Sequence, residues 1–472
     1  MAKGLSKIAL IEPTVIAECL TTEIFWQIRA SLPFMATALK EAGFSCRVFC
    51  EELVLLESRY EKLAQEFDAF GISVTINTVE RTLEIARQLK KLAPNKPIFF
   101  GGMVAAHFAK KLLQVGDYCI TGRGEIVLPR LLEALNEGEE KPELAGLTYL
   151  ENDELVRQAA SDEWADFPSD FSVIENYGGF SERRNILHLR KPPQHSIFFS
   201  TGCVNRCRFC MSERRYRTRE IKNVIADLRQ IISLHSTLLA PRIMVVDDCP
   251  FGDRKKLKEL LREIAKVRQE HKFSIQLQFH VKPLIEDKEL VQLLVAAGTS
   301  MLLIGFETVS NESLASQNKN TTVEENVKAI EICRQAGIVP YGYFVVGFET
   351  DNPHIVRSVF DFIIEQPLVG QVLPVGLMDG VDGARGTDTP MSTLDVYSYG
   401  ATVFVSHKHP TMSSAELQRL LNEGYERIFA PSRIFAMPTM GEKAAQFSYW
   451  MAHRRWRPLL RAHVDRLEAM EG

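Results

Sequence analysis

Residues 196–210 read SIFFSTGCVNRCRFC, so an apolar run empties into three thiols, Cys203, Cys207 and Cys210, spaced four and then three apart. Three is the number that constrains the chain. A structural zinc site closes its tetrahedron with four ligands, usually as two paired knuckles, and no second knuckle follows here. A cubane iron–sulfur cluster held by only three thiolates instead keeps one iron open to an exogenous molecule. Cys249, after the next predicted strand, is the thiol that could close the set to four. The other cysteines are scattered among nine in 472 residues, which is no disulfide framework and fits a reducing, intracellular setting.

A chain of this length has room for roughly three domains, and its 46% hydrophobic and 25% charged residues are ordinary for a globular protein. The net charge of -4 argues against bulk nucleic-acid binding. Locally, Arg206, Arg208, Arg214, Arg215, Arg217 and Arg219 crowd the cysteines, either as an anion site or as a solvated basic face. In the opening MAKGLSKIALIEPTV the apolar stretch IALI is too short for a secretory signal and reads as a first strand. No run approaches the roughly 18 apolar residues of a membrane span, so a soluble, cytoplasmic protein is expected.

Residues 1–150 alternate apolar strands with amphipathic helices: KIALIEP, a helix near 31–43, SCRVFCEE, FDAFGISV, a helix near 78–92, KPIFFGGM, DYCITGRG and VLPRLLEAL. That alternation predicts a doubly wound parallel sheet, which binds ligands at the carboxyl ends of its strands. Ser73 and Thr75, Gly101 and Gly102, and Gly122, Gly124 and Glu125 stand at those ends. The glycines there either form turns or let a backbone approach a ligand closely.

Residues 151–194 are polar, carry Pro168, Gly178, Gly179, Pro192 and Pro193, and read as a linker. From 195 to 382 a second alternation predicts strands at SIFFST, RIMVVDD, SIQLQFHV, SMLLIGFE, YGYFVVGFE and GQVLPVGLM, with helices near 217–238, 253–271, 285–298, 322–336 and 353–366. Six strand-and-helix units suggest a partial parallel barrel, whose chemistry gathers where strands end. Those ends carry the three cysteines, Asp247, Asp248 and Cys249, His280, Glu307, and Gly347 with Glu349. Asp247 and Asp248 suit hydrogen bonds to a ligand's hydroxyls or amides, or turn capping; His280 suits the barrel interior or a core hydrogen bond. Residues 383–472 form a helical cap from two amphipathic segments, with Tyr449, Trp450 and Trp456 in its core and His407 and His409 on its surface.

Cys203, Cys207 and Cys210 in CVNRCRFC, after a strand that opens a strand-and-helix barrel, resemble the C-x3-C-x2-C signature of the radical S-adenosylmethionine superfamily. The resemblance implies that the three thiolates hold a four-iron four-sulfur cluster, that its open iron chelates S-adenosylmethionine, and that an electron from the cluster yields a 5'-deoxyadenosyl radical. It also implies that Phe209 packs on the adenine. MLLIGFETVSNESL is similar to the family's Ile-Gly-x-Glu-(Ser or Thr) strand, so Glu307 is implied to contact the cosubstrate. YFVVGFETD is similar to the strand lining the adenine pocket, with Val346 and Gly347 as backbone contacts. Arg215 and Arg217, close to the cysteines, are candidates for the cosubstrate carboxylate.

VVDDCPFGDRKKLKELL resembles the cobalamin-binding branch, which carries a Rossmann-like domain before the barrel, and PTMSSAELQRLLNEGYERIFAPSRI resembles the tail of its subgroup containing hopanoid methylases. An α/β chain follows: a cobalamin-binding-type domain at 1–150, a linker at 151–194, a partial (β/α)6 barrel at 195–382 and a small helical domain at 383–472. The Asp-x-His-x-x-Gly motif is absent, so cobalamin would lack a histidine from that motif. The branch implies that a substrate radical takes the methyl group of methylcobalamin, on a carbon facing both cofactors, in a small-molecule or lipid-like substrate. An electron donor such as flavodoxin or ferredoxin is implied as partner. Radical cyclisation, carbon–carbon coupling or rearrangement is the alternative. A methylthiotransferase would need three more cluster cysteines; Cys19, Cys46, Cys50 and Cys119 exist, but Cys46 and Cys119 fall inside predicted strands, where core cysteines belong.

Overall fold

The computed structural model describes residues 4–14, 27–102, 104–183, 194–210, 212–375, 403–405 and 408–471. Cys19, His407, the end of GQVLPVGLM and the boundary expected at 382 lie outside them. The described residues pack as two units: one from those of 1–16, 27–197 and 219–241, the other from those of 198–218 and 242–471.

The first unit is built on one sheet of β1 (Lys7–Glu12), β2 (Ser45–Cys50), β3 (Ala69–Ser73), β4 (Ile98–Gly101), β5 (Tyr118–Ile120), β6 (Leu147–Glu151) and β7 (Glu154–Arg157), ordered β2-β1-β3-β4-β5-β6-β7. β1 to β5 pair in parallel, and β6 and β7 are antiparallel. Ile8, Ala9, Leu10 and Ile11 are all buried, as a parallel strand covered on both faces requires. The helices Ser31–Glu41, Val79–Leu92 and Gly124–Asn136 match the periods read from sequence. The middle one turns Leu83, Ile85, Ala86 and Leu89 inward and closes on Lys90 and Lys91, cations that suit a helix C-terminus. β7 lies inside the stretch read as linker.

The same unit contains the strand Gln194–Ile197 (β8) and the helix Ile221–Leu234. Asp227 on that helix accepts the Ser169 N–H at 2.6 Å and its hydroxyl at 2.9 Å. Its other partner is Arg219, at 2.8 Å. The Arg219 side chain is fully buried and also meets Asp166 at 2.9 Å. Burying a guanidinium is tolerable only with such complete pairing, so Arg219 is a structural tie and leaves the basic patch read around the cysteines.

In the second unit a short antiparallel pair, β9 (Ser200–Thr201) with β10 (Arg217–Thr218), brackets the cysteine loop. β11 (Arg242–Val245), β12 (Ser274–Phe279), β13 (Thr299–Glu307), β14 (Val339–Val346) and β15 (Val369–Pro374) then run parallel, each beside the next in chain order. Helices intervene at Arg254–Glu270, Lys288–Ala296, Val323–Gln335 and Pro353–Glu365, close to the expected positions. Their starts are fixed by side-chain caps: Asp253 on Lys256 N–H at 3.0 Å, Thr322 in a capping box with Glu325, and Asn352 on His354 and Ile355. The C-terminal helices Ser414–Ile428, Ser432–Ala436 and Met440–Glu471 follow. Tyr449 and Trp456 are buried in their core and Trp450 is half-buried.

Candidate functional site

The cysteine loop owes its shape to backbone rules and to one arginine. Gly202 has φ +73°, and a Cβ there would fall 2.2 Å from the Arg215 carbonyl, so only glycine fits. Cys203 N–H donates to the Glu213 carbonyl at 2.8 Å, closing the loop. Inside it, the Arg214 guanidinium donates to three carbonyls, Asn205 at 2.8 Å, Cys207 at 3.2 Å and Cys210 at 2.9 Å. Arg208 donates to the Ser316 carbonyl. Arg214 and Arg208 therefore help to hold the loop in shape.

Cys203 and Cys207 are buried and Cys210 is half-buried, all as free thiols. Cys249 hydrogen-bonds with Cys203 and draws its thiol well below the ordinary cysteine value, while Cys249 itself is pushed up. Burial pushes Cys207 up, and the Lys319 ammonium opposes it. A thiol drawn down in this way is ready to deprotonate onto iron. Among the described residues no three His, Cys, Asp or Glu side chains could share a single metal ion; a cubane takes its thiolates at separate corners, which need not converge on one point.

Asp247, at the end of β11, accepts the Phe199 N–H at 2.7 Å and the Ser200 hydroxyl at 2.5 Å. Both its oxygens are thus engaged by the segment leading into the loop. Burial raises its carboxyl to about 7 against those hydrogen bonds. Asp248 beside it is exposed. His280 is the cap of the short helix Val281–Glu286, accepting the Lys282 N–H at 3.3 Å, and burial with nearby Lys319 and Lys282 lowers it to about 3. It caps that helix from a buried position near Lys319.

Glu307 ends β13 with φ +63°, where the pairing with β14 slips by one residue. A non-glycine residue in that region is strained. The strain folds its carboxylate back over Gly305, where a Cβ would meet Glu307 Oε1 at 2.3 Å and Lys319 Nζ at 3.0 Å. Lys319 Nζ donates to Glu307 Oε1 at 2.7 Å, and both residues are buried. The neighbouring Thr308 hydroxyl is buried with no hydrogen-bond partner among the described residues.

Phe209 packs its ring 5.5 Å from Phe348. Gly347, with φ +93°, and Phe348 donate their N–H groups to Asp351 Oδ2 at 2.9 and 3.1 Å, and the Val346 carbonyl accepts Val375 N–H at 2.8 Å. The Phe348 carbonyl bonds His409 Nε2 at 2.8 Å, while His409 Nδ1 accepts the Met412 N–H at 3.1 Å. His409 is thereby buried and not on the surface as expected.

In the first unit the register sets Ser73 opposite Gly101, and Gly101 opposite Ile120, at one edge of the sheet. Gly102 has φ +119°, and a Cβ would lie 2.4 Å from the Val74 carbonyl. Thr75 caps the turn Ile76–Thr78 in a reciprocal box with Thr78, and the Asn77 Oδ1 atom of that turn is buried with no hydrogen-bond partner among the described residues. Gly122 has φ +83°, Gly124 lies where a Cβ would meet Met35 Cε at 2.5 Å, and Glu125 sits in the first turn of Gly124–Asn136. Beside this edge Glu12, Glu51, Arg29, Arg81 and Arg183 form a charged network, with Arg81 bidentate on the fully buried Glu51.

Residues 197–363 match the family model of the radical SAM superfamily, and residues 30–132 match the B12 binding domain. The chain is a cobalamin-dependent radical S-adenosylmethionine enzyme. Its cofactors are a four-iron four-sulfur cluster, S-adenosylmethionine and cobalamin. It is similar to the anaerobic magnesium-protoporphyrin IX monomethyl ester cyclase of Cereibacter sphaeroides, 25% identical over 87% of this chain and 68% of the relative. It is likewise similar to the hopanoid C-3 methylase of Methylococcus capsulatus, 25% identical over 67% of this chain and 61% of the relative. The chain thus spans about two thirds or less of these relatives' lengths. The fold is shared with the radical S-adenosylmethionine methyltransferase TsrM of Kitasatospora setae, at TM-score 0.69 and 15% identity over 96% of this chain and 99% of that one.

The residues of the radical S-adenosylmethionine enzyme fit these groups. Three thiols on a pre-shaped loop suit the cluster; the orphaned Thr308 hydroxyl beside Glu307 suits a polar cosubstrate; the orphaned Asn77 oxygen and the bare Gly102 suit a corrin pressed on the sheet edge. Lys319 and Thr308 are the residues that sequence reading missed. Cys46 and Cys119 lie in strands, buried, with burial pushing both thiols up to about 12; Cys50 is buried and pushed up too. Thiols so held are core residues and poor ligands for a second cluster. Among the described residues no helix is long and apolar enough to cross a membrane.

Proposed function

We propose that the enzyme methylates a carbon of a small organic substrate. The observation that carries this reading is the coexistence, on one chain, of a loop bearing three free thiols inside a radical SAM domain and a B12-binding sheet. When bound, the cluster with S-adenosylmethionine supplies a carbon-centred oxidant, and cobalamin supplies a transferable methyl group. Cys203, Cys207 and Cys210 hold the cluster. Glu307 and Thr308 receive the polar end of S-adenosylmethionine, while Phe209, Val346 and Gly347 border its adenine. Asp247 anchors the loop, and Asp248 beside it would take ribose hydroxyls. Ser73, Thr75, Gly101, Gly102, Gly122, Gly124 and Glu125 seat the corrin and its tail. A low-potential one-electron carrier of the flavodoxin or ferredoxin type reduces the cluster.

Radical ring formation is the second reading, supported by the cyclase relative, which matches more of this chain than the hopanoid methylase does. The test is an anaerobic turnover of the reconstituted enzyme with methyl-deuterated S-adenosylmethionine against tetrapyrrole and hopanoid substrates. Methyl transfer yields a trideuteromethyl product with both S-adenosylhomocysteine and 5'-deoxyadenosine. Ring formation yields 5'-deoxyadenosine and a product without label, and would replace the first reading.

A further inference from the structure

Lys319 is an unusual place for an ammonium. Its residue is 9% exposed, it lies in the polar stretch NKNTT, and among the described residues its side-chain partner is Glu307. An ammonium has three donors, so two have no hydrogen-bond acceptor among the described residues. A lone buried pair of this kind does little for stability once both charges are taken out of water. The surroundings are nevertheless arranged to keep it: Glu307 accepts a strained backbone, and Gly305 has no side chain to obstruct either partner.

The cysteine loop is docked on the segment that carries this lysine. Arg208 N–H donates to the Gln317 carbonyl at 3.0 Å, Arg208 Nη1 to the Ser316 carbonyl at 3.3 Å, and Asn318 Nδ2 to the Arg206 carbonyl at 2.9 Å. Three hydrogen bonds thus span residues 206–208 and 316–318, on either side of Cys207 and immediately before Lys319. We propose that Lys319 is the fixed countercharge of the iron–sulfur cluster, held by Glu307 with its remaining N–H donors directed to the Cys207 side of the cluster, and that it makes the cluster easier to reduce. This rests on the three cysteines being the cluster ligands.

The physical effect follows from charge alone. Adding one electron to the cluster adds one negative charge, and a fixed cation nearby in a poorly solvated site stabilises the reduced form. Removing Lys319 also leaves the Glu307 carboxylate unopposed, which acts in the same direction. Neutralising Glu307 leaves the ammonium unopposed and acts the other way. A purely structural pair predicts no such opposition of sign, since either variant would merely loosen the same strand end.

The test is an anaerobic redox titration of the full-length reconstituted enzyme with dithionite and mediators, without S-adenosylmethionine, reading the reduced cluster by electron paramagnetic resonance against iron content. At the potential where the wild type is half reduced, Lys319→Met should lower the ratio of reduced to oxidised cluster about threefold or more, and Lys319→Arg should stay near wild type. Glu307→Gln should raise that ratio. Should Lys319→Met fail to take up iron, Glu307→Gln carries the decision: an unchanged or lowered ratio overturns the proposal. Shifts of the same sign in Lys319→Met and Glu307→Gln overturn it as well. A wild type that takes up no cluster would instead remove the assignment of the three cysteines, and the proposal with it.

Discussion

Asp247 accepts the Ser200 hydroxyl at 2.5 Å, tying the end of β11 to the segment that enters the cysteine loop three residues before Cys203. The Phe199 N–H on its other oxygen makes the tie bidentate. Asp247→Ala removes the acceptor of the buried Phe199 N–H, at about 1–3 kcal/mol for that group, and leaves the Ser200 hydroxyl only the Cys249 carbonyl at 3.4 Å. The expected result is severalfold less iron per chain after reconstitution, with the circular dichroism of the fold retained. Asp247→Asn, which can still accept one donor and donate to the hydroxyl, should recover most of that iron.

Glu12, buried at the end of β1, has its carboxyl raised from 4.5 to about 7, by burial first and with Arg29 opposing. Between these values the native chain holds a proton that the unfolded chain has released. Stability therefore falls as pH rises through that window, and the loss is complete above about pH 7. The loss from this group is roughly 3 kcal/mol at most. Thermal unfolding at pH 5 and pH 8 should show a smaller difference in Glu12→Gln than in the wild type. Equal differences would remove Glu12 as the cause.

Gly102→Ala places a methyl 2.4 Å from the Val74 carbonyl at φ +119°. The expected cost is about 1–3 kcal/mol, accompanied by loss of corrin absorbance after desalting. Gly101→Ala is the matched control. A Cβ there meets nothing within 4 Å, so stability should be unchanged, and any loss of corrin would then report directly on contact with the ligand.

The thiol beside Cys203 invites a decisive count. Cys249→Ala should keep the iron content of the wild type, because the cluster is held by three thiolates, whereas the Cys203, Cys207, Cys210 triple Ala variant should lose the cluster absorbance and keep the corrin bands. Loss of iron in Cys249→Ala with the fold intact would make Cys249 a fourth ligand.

Most of the architecture was legible because its signals are local. Val79–Leu92 and Val323–Gln335 declare their apolar faces within one window, the second with its capping box, and the cysteine spacing is a motif in itself. What escaped depends on partners far along the chain. Lys319 sits among polar residues that read as a loop, and its buried partner Glu307 and the cysteine loop docked beside it come from distant stretches of the chain. Arg219 reads as one of a basic cluster until Asp166 and Asp227 claim it. His409 stands in KHPT, polar by composition, yet each ring nitrogen meets a backbone group. β7 is too short and polar, ELVR, to stand out from a linker; its strand identity comes from pairing with β6.

The single guanidinium of Arg214 joining three carbonyls of the cysteine loop has a consequence for the enzyme's upkeep. A loop that iron alone ordered would collapse whenever the cluster was lost to oxygen. Here three carbonyls of the loop are held by one side chain of the same loop, so its shape does not rest on iron alone.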